Sequence, residues 1–204
     1  MVEVIGAVVM LPVFIRDFGV LKGIWYAIFH SVSAFCNAGF DLMGVNGKFS
    51  SLTGYSAQPV INLTIMALII IGGIGFLTWE DIQRNRWHFS KYRMQSKVII
   101  TMTGLLIFIP ALWFFFCEFS DLPLGERILS SFFQSVTPRT AGFNTADLTL
   151  ISEAGILIMI MLMLTGGSPG STAGGMKTTT VAVLISSSLA VFKQKEDAHF
   201  LDRK

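Results

Sequence analysis

The chain has 204 residues, 52% of them apolar and 14% charged, with a formal net charge of +2. An average soluble domain carries about 25% charged residues, so the composition excludes an ordinary water-facing globule and fits a chain whose apolar side chains face lipid. Cys36 and Cys117 stand alone in apolar settings, which excludes a disulfide framework and a zinc site.

In chain order, Met1 to Phe14 is apolar apart from Glu3 and lacks the basic leader and cleavage site of a signal peptide. It is shorter than the roughly 20 residues of a full span and reads as the end of a helix that begins upstream. Val60 to Trp79 is an uncharged run of spanning length, with Gly72, Gly73 and Gly75 for close approach of a neighbour and Trp79 as an interfacial anchor. Val98 to Cys117 is a second such run, kinked at Pro110, with Trp113 to Phe116 at its interfacial end.

The connection 80–97 carries Arg84, Arg86, Lys91, Arg93 and Lys97 against Glu80 and Asp81. The positive-inside rule places it in the cytoplasm, as a solvated linker rather than a nucleic-acid patch. The segments around Arg16–Phe40 and Ser120–Asn144 are then entered from outside. The tail 193–204, with Lys193, Lys195, Arg203 and Lys204, returns to the cytoplasm.

Ala154 to Leu164 is apolar and helix-like. The next eleven residues, Thr165 to Gly175, hold five glycines and Pro169 and cannot form a stable helix. Met176 to Phe192 resumes a helix, so the last span is broken near mid-membrane.

Two segments repeat. Phe29-His30-Ser31-Val32-Ser33-Ala34-Phe35-Cys36-Asn37-Ala38-Gly39-Phe40-Asp41 matches Phe133-Gln134-Ser135-Val136-Thr137-Pro138-Arg139-Thr140-Ala141-Gly142-Phe143-Asn144, with one residue more in the first. Each follows an apolar segment and precedes an apolar span. A unit that encloses nothing by itself implies assembly around an axis. The repeats divide the chain into 1–79, the connection 80–97, 98–192 and the tail 193–204. A cation crossing a bilayer exchanges its water for other oxygens, which rings of backbone carbonyls supply. Glycine lets carbonyls turn toward the ion, and non-helical backbone at membrane depth is tolerated where it lines a path. In this reading Phe40 and Phe143 are packing wedges, and Asp41 adds negative potential at the outer mouth.

These motifs resemble a known family. Phe29 to Gly44 resembles the second selectivity-filter loop of the KtrB/TrkH potassium-uptake family, Gln134 to Thr145 the third, and Gly166 to Thr180 its intramembrane gating loop. The Ser-Pro-Gly-Ser-Thr wording at 168–172 is closer to KtrB than to TrkH. The resemblance implies an all-α membrane protein of M1–pore loop–M2 repeats, with Cys36, Asn37, Ala38, Gly39, Arg139, Thr140, Ala141 and Gly142 at filter positions. It places a hinged barrier below them, formed by Gly166, Gly167, Ser168, Pro169, Gly170, Ser171, Thr172, Ala173, Gly174 and Gly175. It further implies potassium as the transported ion, sodium as a potential activator, and no cofactor in this chain. The implied partners are a first and a fourth repeat of the same polypeptide, a second copy of the membrane subunit, a cytosolic nucleotide-binding ring of the KtrA/TrkA kind, and the bilayer of a bacterial cytoplasmic membrane. Selectivity between potassium and sodium stays open.

Lys177, just past the gating loop, is expected to face the pore or pair with another repeat. Thr178, Thr179 and Thr180 are expected to bond carbonyls of their own helix, and His30 to be a satisfied structural histidine. His88 and His199 read as solvated, and Glu153 as a partner of a helix dipole. Arg139 is expected to turn away from the ion path and tie the loop to carbonyls or a carboxylate. Gly170 to Thr178 fails as a phosphate loop because Met176 separates Gly175 from Lys177. An intramembrane serine protease, with Ser168 or Ser171 as nucleophile and His30 as base, and a non-transporting scaffold are the alternatives.

Overall fold

The computed structural model describes residues 1–45, 47, 50–86 and 88–194. Within them the chain is helical, with no strand beyond a single bridge between Thr165 and Met176. The elements are α1 (Val2–Phe18), α2 (Val20–Phe35), α3 (Pro59–Ile74), α4 (Phe76–Asn85), α5 (Met94–Trp113), α6 (Leu124–Val136), α7 (Glu153–Leu164) and α8 (Thr178–Phe192). The basic tail beyond Gln194 and His199 lie outside the described residues.

Each repeat is built alike. A long apolar helix (α1, α5) leads to a shorter helix (α2, α6), which packs back along it and ends in the Ala-Gly-Phe loop. A further helix then leaves (α3, α7). α5 continues through a π-helical turn, Phe114–Glu118, to form one apolar segment of 25 residues, Met94–Glu118, long enough to cross a bilayer. Upstream of that turn Pro110 has no N–H to give the Leu106 carbonyl, which accepts from Ser135 Oγ at 3.2 Å instead.

The core where α1, α2, α3 and α6 meet contains the buried Phe14, Ile61, Ile65, Phe133 and Phe143. Outward faces stay apolar: Val8, Trp25, Phe108, Ile109, Leu157 and Val183 are all exposed. In water this arrangement would be costly; in lipid it is the expected one.

Three expectations are corrected here. Val60–Trp79 is not one straight span: α3 ends at Ile74, and α4 leaves at 97° across Gly75. Gly75 has φ +94°, and a Cβ there would lie 2.6 Å from the Pro169 carbonyl oxygen, so both the bend and its neighbour require glycine. Trp79 is no free anchor, since its indole N–H donates to the Ile71 carbonyl at 2.9 Å and braces the bend. The connection expected at 80–97 is in good part helical, α4 running to Asn85 and α5 starting at Met94.

That connection is organised by one buried carboxylate. Asp81 accepts from Ser96 Oγ at 2.6 Å and from the Arg93 backbone N–H at 3.1 Å, and pairs with the Arg93 guanidinium at 3.5 Å. Burial pushes the Asp81 carboxyl up, but these hydrogen bonds and the charges of Arg93 and Arg84 outweigh it and hold the carboxyl below its ordinary range.

Candidate functional site

The two Ala-Gly-Phe loops share one local construction, residue for residue. Ser31 Oγ on α2 donates to the Glu3 carbonyl on α1, and Ser135 Oγ on α6 donates to the Ile107 carbonyl on α5, both at 2.6 Å. Ser33 Oγ donates to the Phe40 carbonyl at 2.7 Å, and Thr137 Oγ1 to the Phe143 carbonyl at 2.5 Å. Asp41 accepts from the Met43 N–H at 2.9 Å, and Asn144 from the Ala146 N–H at 3.2 Å. The Ala38 N–H bonds the Ser33 carbonyl and the Ala141 N–H the Thr137 carbonyl. The extra residue of the first loop is therefore absorbed between Ser33 and Ala38.

In both loops the backbone enters the left-handed region twice, at Asn37 (φ 52°) and Gly39 (φ 72°), and at Thr140 (φ 73°) and Gly142 (φ 86°). An asparagine tolerates this conformation and a threonine resists it, so each loop is held by its surroundings. The tips meet. A Cβ on Gly39 would overlap the Ala141 carbonyl oxygen and come within 3.2 Å of Gly142 Cα. The C-terminal ends of α2 and α6 both arrive at this contact, bringing the negative ends of two helix dipoles to one place. Cys36, Ala38 and Gly142 are exposed, Asn37, Arg139 and Ala141 buried, and Gly39 and Thr140 half-buried.

The glycine-rich segment lies against both loops. A Cβ on Gly175 would stand 3.4 Å from Thr140 Cγ2, and Thr172 Oγ1 touches Asn37 Nδ2 at 2.9 Å. The bend at Gly75 frees carbonyls of α3, and the segment supplies their donors: Ser168 N–H to Gly73 O (2.9 Å) and Thr172 N–H to Gly72 O (3.2 Å). In return Phe76 N–H, the first of α4, bonds Gly170 O at 3.0 Å. The base is closed by Gly166 N–H to Met176 O and Met176 N–H to Leu164 O, and Gly167 N–H bonds Gly174 O. Gly166, Gly167, Ser168 and Ala173 are buried, Pro169, Ser171 and Thr172 half-buried, and Gly170, Gly174 and Gly175 exposed.

Several expected side-chain roles change. Lys177 does not reach away from the segment, since its Nζ donates to the Ala173 carbonyl at 2.8 Å and holds the loop's own backbone. Thr178 bonds Ser168 Oγ at 3.0 Å across the loop rather than its own helix. Arg139 is buried with its Nε without a hydrogen-bond partner among the described residues, so it ties the loop to neither carbonyl nor carboxylate through that atom. Phe143 is a buried wedge, whereas Phe40 is 70% exposed. His30 is satisfied: its Nδ1 donates to Tyr26 O (2.7 Å), and its Nε2 accepts the Leu42 N–H (3.3 Å). Ser168 is engaged with Thr178, and Ser171 Oγ donates to Ser168 O, so neither serine has the histidine base that a protease needs.

Two units of long helix, re-entrant short helix, glycine-tipped loop and exit helix, with tips in contact, define an α-helical pore-loop membrane protein. The family model named TrkH, described as cation transport protein, matches residues 1–204, and the chain belongs to this family. It is 43% identical over 99% of its length to the potassium/sodium uptake protein NtpJ of Enterococcus hirae, covering 45% of that protein. It is 36% identical over 96% of its length to the Ktr system potassium uptake protein B of Bacillus subtilis, covering 44% of it. The crystal structure of the potassium transporter TrkH from Vibrio parahaemolyticus shares the fold, with a TM-score of 0.73 at 21% identity over 95% of this chain and 39% of that one. The chain thus spans less than half the length of these relatives.

Proposed function

We propose that the chain supplies two of the pore-loop repeats of a potassium-uptake pore, with filter carbonyls from Cys36–Gly39 and Arg139–Gly142 and a gate at Gly166–Gly175. The observation that carries this reading is the meeting of the Gly39 and Ala141–Gly142 tips directly against the glycine-rich segment. Two tips supply part of a ring, so other segments complete it: a first and a fourth repeat of the same polypeptide. The names of the relatives, potassium uptake in one and potassium/sodium uptake in another, support an alkali-cation substrate. Potassium is the transported ion and sodium an activator in this proposal. The assembly has a second membrane subunit and a cytosolic nucleotide-binding regulatory ring, the word "system" in the Ktr relative's name pointing to more than one component. The basic connection and the tail face the cytoplasm, and the loops are entered from outside.

The mechanism follows from the backbone. Loop carbonyls replace the water of an entering cation, and the negative ends of α2 and α6 favour positive charge there. Residues 166–175, seated in the α3–α4 bend under both tips, obstruct the path below. Opening exchanges the hydrogen bonds to Gly72 and Gly73 for others. The test is rubidium uptake by the full-length protein: deletion of 167–174 raises maximal flux at equal protein level. A lower flux would make the segment a support of the fold instead of a barrier.

A further inference from the structure

The geometry points to Asn37 and Thr172 as a latch through which the gating segment sets the conformation of the second filter loop. This inference rests on the filter-and-gate reading above and names a regulation of that same site. The chain of contacts is short. Asn37 Nδ2 donates to Thr172 Oγ1 at 2.9 Å, and Thr172 Oγ1 donates to the Phe35 carbonyl at 2.8 Å. Phe35 is the last residue of α2, so that carbonyl lacks a helical partner, and Thr172 caps it. Asn37 itself stands at φ 52° two residues before Gly39, so holding its side chain holds the loop's first left-handed turn.

The surroundings make the contact selective. A Cβ on Gly72 would overlap the Phe35 carbonyl oxygen and approach Thr172 Oγ1 to 2.8 Å and Asn37 Nδ2 to 3.1 Å, so α3 leaves room for the latch only as glycine. On its other side Asn37 borders a cavity of about 10 Å³, lined also by Arg139 of the other filter loop, Thr103 of α5 and Gly167 of the gating segment. One amide therefore lies where both filter loops and the gate adjoin. Thr140, its counterpart in the third filter loop, turns its methyl group toward Gly175, and its hydroxyl has no hydrogen-bond partner among the described residues. Displacing the segment takes the Thr172 hydroxyl from both groups and leaves Asn37 Nδ2 only its longer 3.5 Å bond to the same Phe35 carbonyl. The second filter loop relaxes when the gate opens, and a cation held by that loop stabilises the closed seat in turn.

The test uses the full-length protein in proteoliposomes, reading the KM for potassium, the potassium-to-sodium ratio and the maximal rate. Thr172→Val keeps shape and loses both hydrogen bonds, and Thr172→Ala does so without added bulk; Thr172→Ser keeps the hydroxyl. Val and Ala are expected to raise the potassium KM and lower the selectivity ratio, by about 5-fold or more within the usual range of coupling between sites, with Ser restoring the parent values. Ser171→Ala, which loses only a bond inside the loop, is expected to change the maximal rate and leave KM and selectivity in place. Thr172→Val and Thr172→Ala with parent KM and selectivity but altered rate would overturn the latch. Gly39→Ser separates the levels: if it shifts selectivity while the Thr172 variants do not, the filter stands and only the latch falls; if it too leaves selectivity unchanged, both readings fall.

Discussion

At the residue scale, the candidate site is a matter of backbone handedness more than of side-chain chemistry. Gly39 and Gly142 occupy the left-handed region where a side chain is strained, and Gly39 has the Ala141 carbonyl where a Cβ would stand. Gly39→Ser and Gly142→Ser are expected to weaken potassium selectivity, with Gly39 the more severe because strain and overlap add there. The strain alone is about 1–3 kcal/mol, equivalent to about 5- to 150-fold in an equilibrium. Rubidium and sodium uptake kinetics in the two variants check this; parent kinetics in both would count against the assignment. The paired serines make a different prediction. Ser31 and Ser135 each donate across to the preceding long helix at 2.6 Å. Alanine at either is expected to cost about 0.6–2 kcal/mol, the range for interhelical hydrogen bonds in membranes, read as a lowered unfolding temperature in detergent with selectivity preserved.

At the element scale, the bend between α3 and α4 matters as much as the broken last span. The two interruptions satisfy each other: carbonyls freed at Gly72 and Gly73 take the donors of Ser168 and Thr172, and the start of α4 takes Gly170 O. Gly75→Ala is therefore expected to unseat the gating segment and raise basal flux, since it strains a φ of +94° and presses on Pro169 O; unchanged flux would show that the seat does not restrain the gate. The loops and the broken last span were legible in the sequence because glycine spacing and repetition dictate local backbone. The α3–α4 bend was not, because an unbroken apolar run with glycines is equally compatible with a straight membrane helix. Only the partner that docks there decides between them. The contact of Asn37 with Thr172 joins residues 135 positions apart and had no local signal at all. The bonds of Lys177 to Ala173 O and of Thr178 to Ser168 Oγ had no signal for the same reason: each follows from the fold-back of the loop, which composition does not specify.

At the scale of the whole molecule, the chain is two similar units joined by a basic connection pinned on Asp81. Because the folded environment holds the Asp81 carboxyl below its ordinary range, its contribution to stability is full above the ordinary carboxylate value, about 4. That contribution is lost as pH falls through the lower folded value. Asp81→Asn is expected to flatten this acid-side loss in thermal unfolding measured in detergent from about pH 5 downward; an unaltered pH profile would mean that Asp81 does not carry it. The exterior is broadly apolar, and the relatives are more than twice as long as this chain; the proposed ring would take its remaining tips from outside these 204 residues. The central claim is that main-chain oxygens of these two tips hold the permeating ion. Its most direct measurement is the position of rubidium in an experimental structure of the full-length protein. Rubidium density is expected against the carbonyls of Ala38–Gly39 and Ala141–Gly142; rubidium bound elsewhere along the path, with those carbonyls turned from it, would contradict the claim.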